Sequence, residues 1–502
     1  MRDLCLRCCA LLAALLLATP ALADRPADAM LATWVREALE ADPRIDAKSV
    51  EVATEKGIVT LRGSVPTLAG KRYGILTAQR IRGVLGVIDQ VDVESAPRPD
   101  ADLVRTVERR IQRSAALAGG KIGVVAKSSR VTLSGQVRSW SQRLHAELVA
   151  SEVRGVEALD NQLVVQAGTQ RPDSEVKSDV DAALARDAFL VGLPIRAAVE
   201  RGKVTLSGAV SSAYEKTRAG TQVGSVSNVR GVENRIQVEW WPDRSARVAV
   251  PDADDDAGLT QAIREELAQD DRIDASGIEA SIASGRVLLR GSVPSERQRR
   301  LAEEDARNLV GVAWVTNELR VAAIAREDAE IKGELEEVLT GDSALFEYAI
   351  AVAVHKGTVT LEGDVGSGYH RAHAAAIASR TRGVQEVENR LRTMAVAIAA
   401  DEVLSREIVR RLERDWRTGA VMSRLNVEVQ DGVVTLSGDV NRFAERRAAE
   451  RIARRTPGVR RVRNEIIVDR YPYPWEEHLE DDEPVLPDWD PHWDFPDWPW
   501  IV

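Results

Sequence analysis

Basic residues recur along this sequence at intervals of 72 to 83 residues. The six recurring residues are Lys71, Arg143, Lys216, Arg299, Arg371 and Arg446. Near the start of a helix such a cation could bind an anion like lipid phosphate, because exposed backbone N–H groups already favour negative charge there. Alternatively, the long basic stems lie along a helix–sheet seam and keep their charged ends in water. The sequence leaves both interpretations open.

A second basic cluster lies near the end of the chain. Arginines outnumber acids there: Arg442, Arg446, Arg447, Arg451, Arg454 and Arg455 against Glu445 and Glu450, followed by Arg460, Arg461 and Arg463. A basic helix of this kind can contact an anionic membrane surface. It could equally receive an acidic segment of the same chain, or form a solvated charged face.

Beyond this cluster the composition changes to proline, acid and tryptophan. Residues 469–502 contain eleven acidic residues and one arginine. They also contain five tryptophans, which are candidates for docking on the last module or on a partner: Trp475, Trp489, Trp493, Trp498 and Trp500. Acid and proline usually indicate disorder, whereas aromatic anchors are enriched at interfaces. Docking and a disordered tail are both compatible with this composition.

No motif in the chain points to catalysis. His370 and His373 have a spacing that two metal ligands could use, but no cysteine or acid completes a ligand set nearby. Gly119-Gly120-Lys121 lacks the remainder of a phosphate loop, and no Gly-x-Ser-x-Gly motif occurs. We therefore expect no enzyme, no metal and no cofactor.

The first 23 residues have the layout of a secretory signal peptide, in which Arg2 and Arg7 precede an apolar run and Ala21-Leu22-Ala23 precedes Asp24. The run is too short for a bilayer-spanning helix, so we expect cleavage and no later span. All three cysteines precede residue 10, which predicts a mature chain without thiols. Most of the net charge of −10 lies in residues 469–502, so the remainder is nearly neutral and nucleic-acid binding is not expected.

One strand-like motif occurs six times, beginning with Val59-Thr60-Leu61-Arg62-Gly63. Its last residue is the strand glycine of each repeat: Gly63, Gly135, Gly208, Gly291, Gly363 and Gly438. Alternating apolar residues predict a half-buried strand, and the glycine suits either close approach of another backbone or a bulge. An apolar run and a Lys56-Gly57 type of turn come first, which predicts a hairpin. In the second repeat Ser128-Ser129 predicts a less tight turn.

A helical pattern follows each strand glycine. Small residues recur eleven residues later and predict close helix–sheet packing: Gly74, Ala146, Ala219, Ala302, Ala374 and Ala449. At twenty residues there is a helix stop, which is Asn228 in the third repeat and glycine in the others. A last strand then carries asparagine in five repeats and Asp89 in the first. Because another helix precedes each hairpin, the pattern predicts an α+β fold of six tandem α-β-β-α-β modules, each with a three-stranded mixed sheet packed on two helices.

Proline and acid cluster between the modules, and the longest linker lies in mid-chain, dividing the chain into two groups of three. The expected organisation is a signal peptide (1–23), modules 1 to 6 (27–95, 100–167, 173–241, 255–322, 326–395 and 400–469), and a tail (470–502).

The module length, the Val-Thr-Leu-x-Gly strand and the final Val-x-Asn-x-Leu strand resemble the BON domain of bacterial envelope and osmotic-stress proteins. That resemblance implies a periplasmic or membrane-associated protein without a cofactor, whose domains contact phospholipid or other envelope components. We therefore expect a periplasmic multivalent scaffold of the envelope, with anionic phospholipid or envelope proteins as partners and peripheral membrane association as one option. The alternative is a periplasmic chaperone-like stress protein that binds unfolded or partner proteins in grooves between modules.

Overall fold

Six modules of one design make up the protein, which confirms the predicted fold class. The computed structural model describes residues 25–468 apart from short gaps, the longest at 167–170, 241–255, 323–325 and 394–400. The predicted signal peptide and tail lie outside the described residues. Every described module has its own hydrophobic core between one sheet and two helices.

The elements occur in the same order in every module. The first helices are Asp28–Ala41, Asp100–Arg113, Asp173–Arg186, Asp256–Gln269, Asp328–Thr340 and Asp401–Arg414. The first strands are Val50–Glu55, Lys121–Lys127, Ile195–Glu200, Ile278–Ala283, Ala351–His355 and Leu425–Gln430. The second strands are Ile58–Val65, Arg130–Val137, Lys203–Val210, Arg286–Val293, Thr358–Val365 and Val433–Val440.

A second helix and a third strand complete each module. The second helices are Leu68–Gln79, Trp140–Ser151, Ala213–Ser225, Glu296–Asn308, Gly368–Arg380 and Phe443–Arg454. The third strands are Gly86–Val93, Ala158–Val165, Gly231–Asn234 with Gln237–Val238, Trp314–Asn317 with Arg320–Val321, Glu386–Thr393 and Arg461–Val468. The second strand is central, antiparallel to the first and parallel to the third, as the helical crossover predicts.

The hairpins turn on two residues with positive φ, such as Lys56 (52°) and Gly57 (79°). The prediction of a looser turn in module 2 was wrong, because Ser128 (51°) and Ser129 (60°) adopt the same conformation and Lys127 pairs with Arg130. The neighbouring strands impose the twist of a two-residue turn even where no glycine relieves the strain.

The strand glycine allows another backbone to approach, as one of the two sequence interpretations proposed. A Cβ on Gly208 would lie 1.9 Å from the carbonyl oxygen of Pro194, and a Cβ on Gly63 would lie 1.8 Å from that of Ser49. Both glycines also have positive φ. No side chain fits at these positions.

The second helices end three or four residues before the stop residues that the sequence marked. Hydroxyl side chains cap several N-termini; for example, Ser139 accepts a hydrogen bond from the Gln142 backbone N–H at 3.1 Å. The six stop residues all have positive φ, between 67° for Asn228 and 99° for Gly458. The small residues eleven positions after each strand glycine are buried against the sheet.

An aspartate at the start of each first helix fixes that helix to the hairpin, a feature that the sequence analysis missed. Each carboxylate accepts two backbone hydrogen bonds of 2.6 to 3.1 Å from its module's hairpin turn. The six aspartates are Asp28, Asp100, Asp173, Asp256, Asp328 and Asp401. These hydrogen bonds lower the pKa of Asp328. The signal was present, since five of the six stand 29 residues before the second turn residue.

Candidate functional site

The recurring basic residues lie on the second helices and face the third strands of their own modules. Arg143 donates to the carbonyl oxygens of Asn161 (2.6 Å) and Leu163 (3.1 Å). Arg446 donates in the same way to Asn464 (2.8 Å) and Ile466 (3.0 Å). In module 1 the ammonium of Lys71 lies 2.5 Å from the carbonyl oxygen of Val91. These cations fasten helix to strand, so their geometry favours the structural interpretation.

The other three recurring cations are also partly covered by protein. Arg299 forms an ion pair of 2.6 Å with Glu296 on its own helix, and Lys216 and Arg371 are half-buried. A role of all six in anion binding stays a prediction.

The asparagine of the third strand completes this attachment. The Asn161 amide donates to the Arg143 carbonyl oxygen at 3.0 Å and accepts from the Leu163 N–H at 3.2 Å. Asn234, Asn317, Asn389 and Asn464 make the equivalent bonds. Its recurrence in the sequence therefore reflects architecture.

Two glutamates offset only part of the charge of the basic helix of module 6. Glu450 accepts ion pairs from Arg447 (3.1 Å) and Arg454 (2.7 Å), and Glu445 accepts one from Arg442 (3.1 Å). The surrounding arginines lower the pKa of Glu450, although burial alone would raise it. Arg451 is half-buried on the same helix. The candidate docking residues Trp475, Trp489, Trp493, Trp498 and Trp500 lie outside the described residues.

The modules also pack on one another in three pairs, which the sequence did not predict. They are modules 3 and 4 (pair 3:4), modules 2 and 5 (pair 2:5) and modules 1 and 6 (pair 1:6). In pair 3:4, Asp187 forms a backbone bridge with Leu309, and Val226 forms one with Asp270. In pair 2:5 the equivalent residues, Ser114 with Thr381 and Val153 with Asp342, do the same. Ile81 and Asp415 join pair 1:6. Pairs 3:4 and 2:5 thus resemble a two-fold symmetric contact in which both modules use the same surface, and pair 1:6 shares one of its two bridges.

Within the first half of the chain, modules 1 to 3 surround a common axis. Their second helices pack on one another in all three combinations. Leu68 enters the core of module 2, Trp140 packs on the core of module 3, and Ala213 packs on the core of module 1. These are the first residues of the three second helices, so one contact is repeated cyclically. In the second half, module 4 packs its second helix on those of modules 5 and 6.

An aromatic cluster joins the two halves. Trp416 of module 6 is 1% exposed, with its ring centre 4.2 Å from that of Tyr214 and 4.8 Å from that of Phe189, both in module 3. Its backbone N–H donates to the Arg80 carbonyl oxygen of module 1 at 3.1 Å. The three-module halves are therefore packed together.

Pair 3:4 buries an unusual number of charges. Asp187 accepts the Arg218 guanidinium at 2.7 Å, and neither side chain is more than 6% exposed. Arg272 forms an ion pair of 2.5 Å with Asp270. Burial raises the pKa of Glu266 to about 7. Burial and the nearby Asp270 also hold the pKa of Asp305 well above its usual range.

Pair 2:5 contains the two histidines considered as metal ligands. His373 forms a 2.9 Å hydrogen bond with Asp342, and both are buried. The ring centre of His370 lies 4.8 Å from that of Tyr348, and burial lowers the pKa of His370 to about 4. Among the described residues, no group of three or more His, Cys, Asp or Glu side chains could hold a metal ion.

Each sheet has an outer face, the one that its own helices do not cover. The outer face of module 2 differs from the others in apolar exposure, since Val125 and Val164 are each 62% exposed, more than any other large hydrophobic residue described. Lys121, Lys127 and Arg130 share this face and are exposed. In the described part of the chain, none of these three cations has an ion-pair partner. We refer to these five residues as the module 2 patch.

The repeated fold and its fixed residues place the chain in a known class. A family model described as the BON domain matches residues 27–95, 99–167, 172–239, 255–323, 327–395 and 400–470. The chain belongs to the BON domain family, as the sequence motifs indicated. No helix in the described ranges is long and apolar enough to cross a membrane.

Similar proteins share only part of this chain. It is 31% identical over 147 residues to osmotically-inducible protein Y of Escherichia coli strain K12, an alignment that covers 28% of this chain and 72% of the relative. Among solved structures it is similar to the C-terminal domain of CdsD, a structural protein of the type III secretion system of Chlamydia trachomatis, at 13% identity. That match covers 44% of this chain and 99% of the other, with a TM-score of 0.12. A second CdsD structure gives 13% identity, 46% and 97% coverage, and a TM-score of 0.13. Such scores support no conclusion about function.

Proposed function

We propose that this protein is a periplasmic osmotic-stress scaffold of the cell envelope that binds anionic phospholipid through the module 2 patch. Membership in the BON family, the likeness to an osmotically inducible protein and the expected signal peptide support this location and role. The packed modules present six outer faces on one body, which allows weak contacts to act together.

The module 2 patch carries the lipid proposal. Cations without partners attract an anionic surface, at about 1 kcal/mol for each lysine or arginine near it. Exposed valines can enter the boundary between headgroups and acyl chains. Four of the six recurring helix cations contribute less, because Lys71, Arg143 and Arg446 donate to strand carbonyls and Arg299 pairs with a carboxylate.

Vesicle sedimentation of the mature chain tests this proposal. Wild type should bind vesicles of phosphatidylglycerol and phosphatidylcholine, lose binding at high salt, and bind pure phosphatidylcholine weakly. The Lys127→Glu, Arg130→Glu double variant should bind anionic vesicles at least about tenfold more weakly.

Module 4 offers a matched control. Arg286 and Arg290 lie on its outer face without an exposed valine beside them, and Arg290 pairs with Glu318 at 2.8 Å. Reversing both charges should leave vesicle binding close to wild type. Equal losses in the two double variants would show that only net charge matters and would refute the patch.

The tail has a separate proposed role. Because Arg442, Arg447 and Arg454 are already paired, we propose that the tryptophans of residues 469–502 bind an envelope protein and not the second helix of module 6. Removing residues 470–502 should leave vesicle binding and the thermal midpoint unchanged. Suppressed aggregation of a denatured client without vesicle binding would instead support the chaperone alternative.

A further inference from the structure

Each module pair is joined by an ion pair between its first helices. In pair 1:6, Glu37 accepts Arg410 at 2.8 Å and Arg414 at 3.2 Å. Arg109 pairs with Glu337 in pair 2:5, and Arg186 pairs with Glu265 in pair 3:4. The first half of the chain therefore presents acid, base and base, in the order of modules 1, 2 and 3. The second half presents acid, acid and base, in the order of modules 4, 5 and 6.

Backbone contacts alone do not distinguish the possible pairings. Each half groups three similar modules, so turning one half by a third of a rotation would offer the same backbone bridges in new combinations. The rotated combinations are 1:5, 2:4 and 3:6, or 1:4, 2:6 and 3:5. The linker of fifteen residues at 241–255 can extend to about 50 Å, so it does not fix the combination by itself.

Charge separates the three combinations. Only the observed one has an attractive ion pair in every module pair. The first rotation sets Glu37 against Glu337, and Arg186 against Arg410. The second sets Glu37 against Glu265, and Arg109 against Arg410. Two of three contacts are repulsive in each rotation, which is the arrangement expected when like charges exclude wrong partners.

We propose that these first-helix charges select which module of one half faces which module of the other. The surface is thus specific for a three-module half with the complementary charge order. Nearby backbone bridges and apolar contacts supply affinity, and the charges supply the choice of partner.

A charge exchange between modules 5 and 6 tests the proposal in the mature chain. The exchanged variant carries Glu337→Arg, Arg410→Glu and Arg414→Glu. In this variant the first rotation is the combination in which every contact is attractive. Cysteines at Ser114 and Thr381, which form a backbone bridge in pair 2:5, report the observed pairing after refolding and oxidation. The expected result is near-complete disulfide formation in the parent and at least about a fivefold decrease in the exchanged variant.

A second cysteine pair detects the rotated product directly. Leu309 of module 4 occupies the position equivalent to Thr381, so Ser114→Cys with Leu309→Cys should form a disulfide in the exchanged variant and not in the parent. Adding Glu37→Arg and Arg109→Glu makes every observed pair attractive again and should restore the parental disulfide. This rescue keeps the test decisive even if the exchanged variant folds poorly.

Arg406→Glu is the control, because Arg406 is exposed on the first helix of module 6 and donates to the Glu402 carbonyl oxygen of its own helix. It changes net charge as much as the exchange does and should leave the disulfide unaffected. Undiminished parental disulfide in the exchanged variant, or failure of the rescue, would overturn the proposal.

Discussion

Pairs 3:4 and 2:5 are built on the same backbone contacts but bury different side chains. The residue fourteen positions after the aspartate that starts the first helix forms a backbone bridge in both pairs. In module 3 that residue is Asp187, which pairs with the guanidinium of Arg218. In module 5 it is Asp342, which bonds to the ring of His373. One geometry therefore holds an aspartate–arginine ion pair in one place and an aspartate–imidazole hydrogen bond in the other.

The difference shows which part of the interface the module dictates. Strand register and helix ends fix the backbone bridges, so they recur with any side chain that fits. The buried partner then sets the cost of disruption, since a guanidinium that stays buried without a counter-charge destabilises the fold.

Removing the buried carboxylate should give the largest difference between the pairs. Asp187→Asn leaves Arg218 buried without a counter-charge and should cost about 3–5 kcal/mol. Asp342→Asn keeps a hydrogen-bonding partner for His373 and should cost only about 1 kcal/mol. Urea unfolding at neutral pH measures both variants, each of which serves as the control for the other. Equal losses would mean that the backbone bridges, and not the side chains, determine stability.

The buried glutamate of pair 3:4 predicts a specific pH dependence. The pKa of Glu266, about 7, lies above the value of 4.5 for an unperturbed glutamate. The contribution of Glu266 to the free energy of unfolding is therefore fully present below pH 4.5 and is lost as the pH rises through 7. The loss is about 3 kcal/mol for a shift of this size. Glu266→Gln should therefore raise the thermal midpoint at pH 8 and change it little at pH 4.5.

Gln222 makes this substitution a gentle one. Its amide donates to Glu266 at 2.7 Å, and a glutamine carbonyl can accept the same bond. Calorimetry across pH 4.5 to 8 gives the comparison. A variant midpoint that follows the wild type at every pH would show that Glu266 is ionised at no cost in the folded protein.

The sequence predicts the inside of a module well because local rules decide it. Alternating apolar residues set the central strand, Gly63 and its equivalents mark the approach of a carbonyl group, and Asn228 adopts the positive φ of the equivalent glycines after the helix. Ser128-Ser129 escaped prediction because tertiary pairing overrides turn preference. The aspartates that bind the hairpin turns were recognisable only from their distance to the turn, which is constant in five modules.

Contacts between modules were not predictable from the same patterns. Leu68, Trp140 and Ala213 stand at one position but differ in size, so no residue type marks them as a shared contact. The bridge-forming residues Asp187 and Asp342 mark a position that is aspartate in five modules and Ser114 in module 2, a recurrence that the sequence patterns left unused. The recurring cations were recognised in the sequence. Only the structure shows that Arg143 and Arg446 face strand carbonyls.

A pH effect smaller than that of Glu266 is expected on the acid side of pair 2:5. Burial, with the charge of His373, lowers the pKa of His370 to about 4 from 6.5, so its contribution is present above pH 6.5 and is lost as the pH falls towards 4. Because the ring is only partly buried, solvent screening reduces the loss to about 1–2 kcal/mol. His370→Gln should flatten the decrease in thermal midpoint between pH 6.5 and 4. His355→Gln, an exposed change in the same module, should leave it intact, and an equal flattening by both would assign the acid sensitivity to another group. On acidification Glu266 makes the folded protein more stable and His370 makes it less stable. The Glu266→Gln background should therefore make the His370 effect easier to resolve.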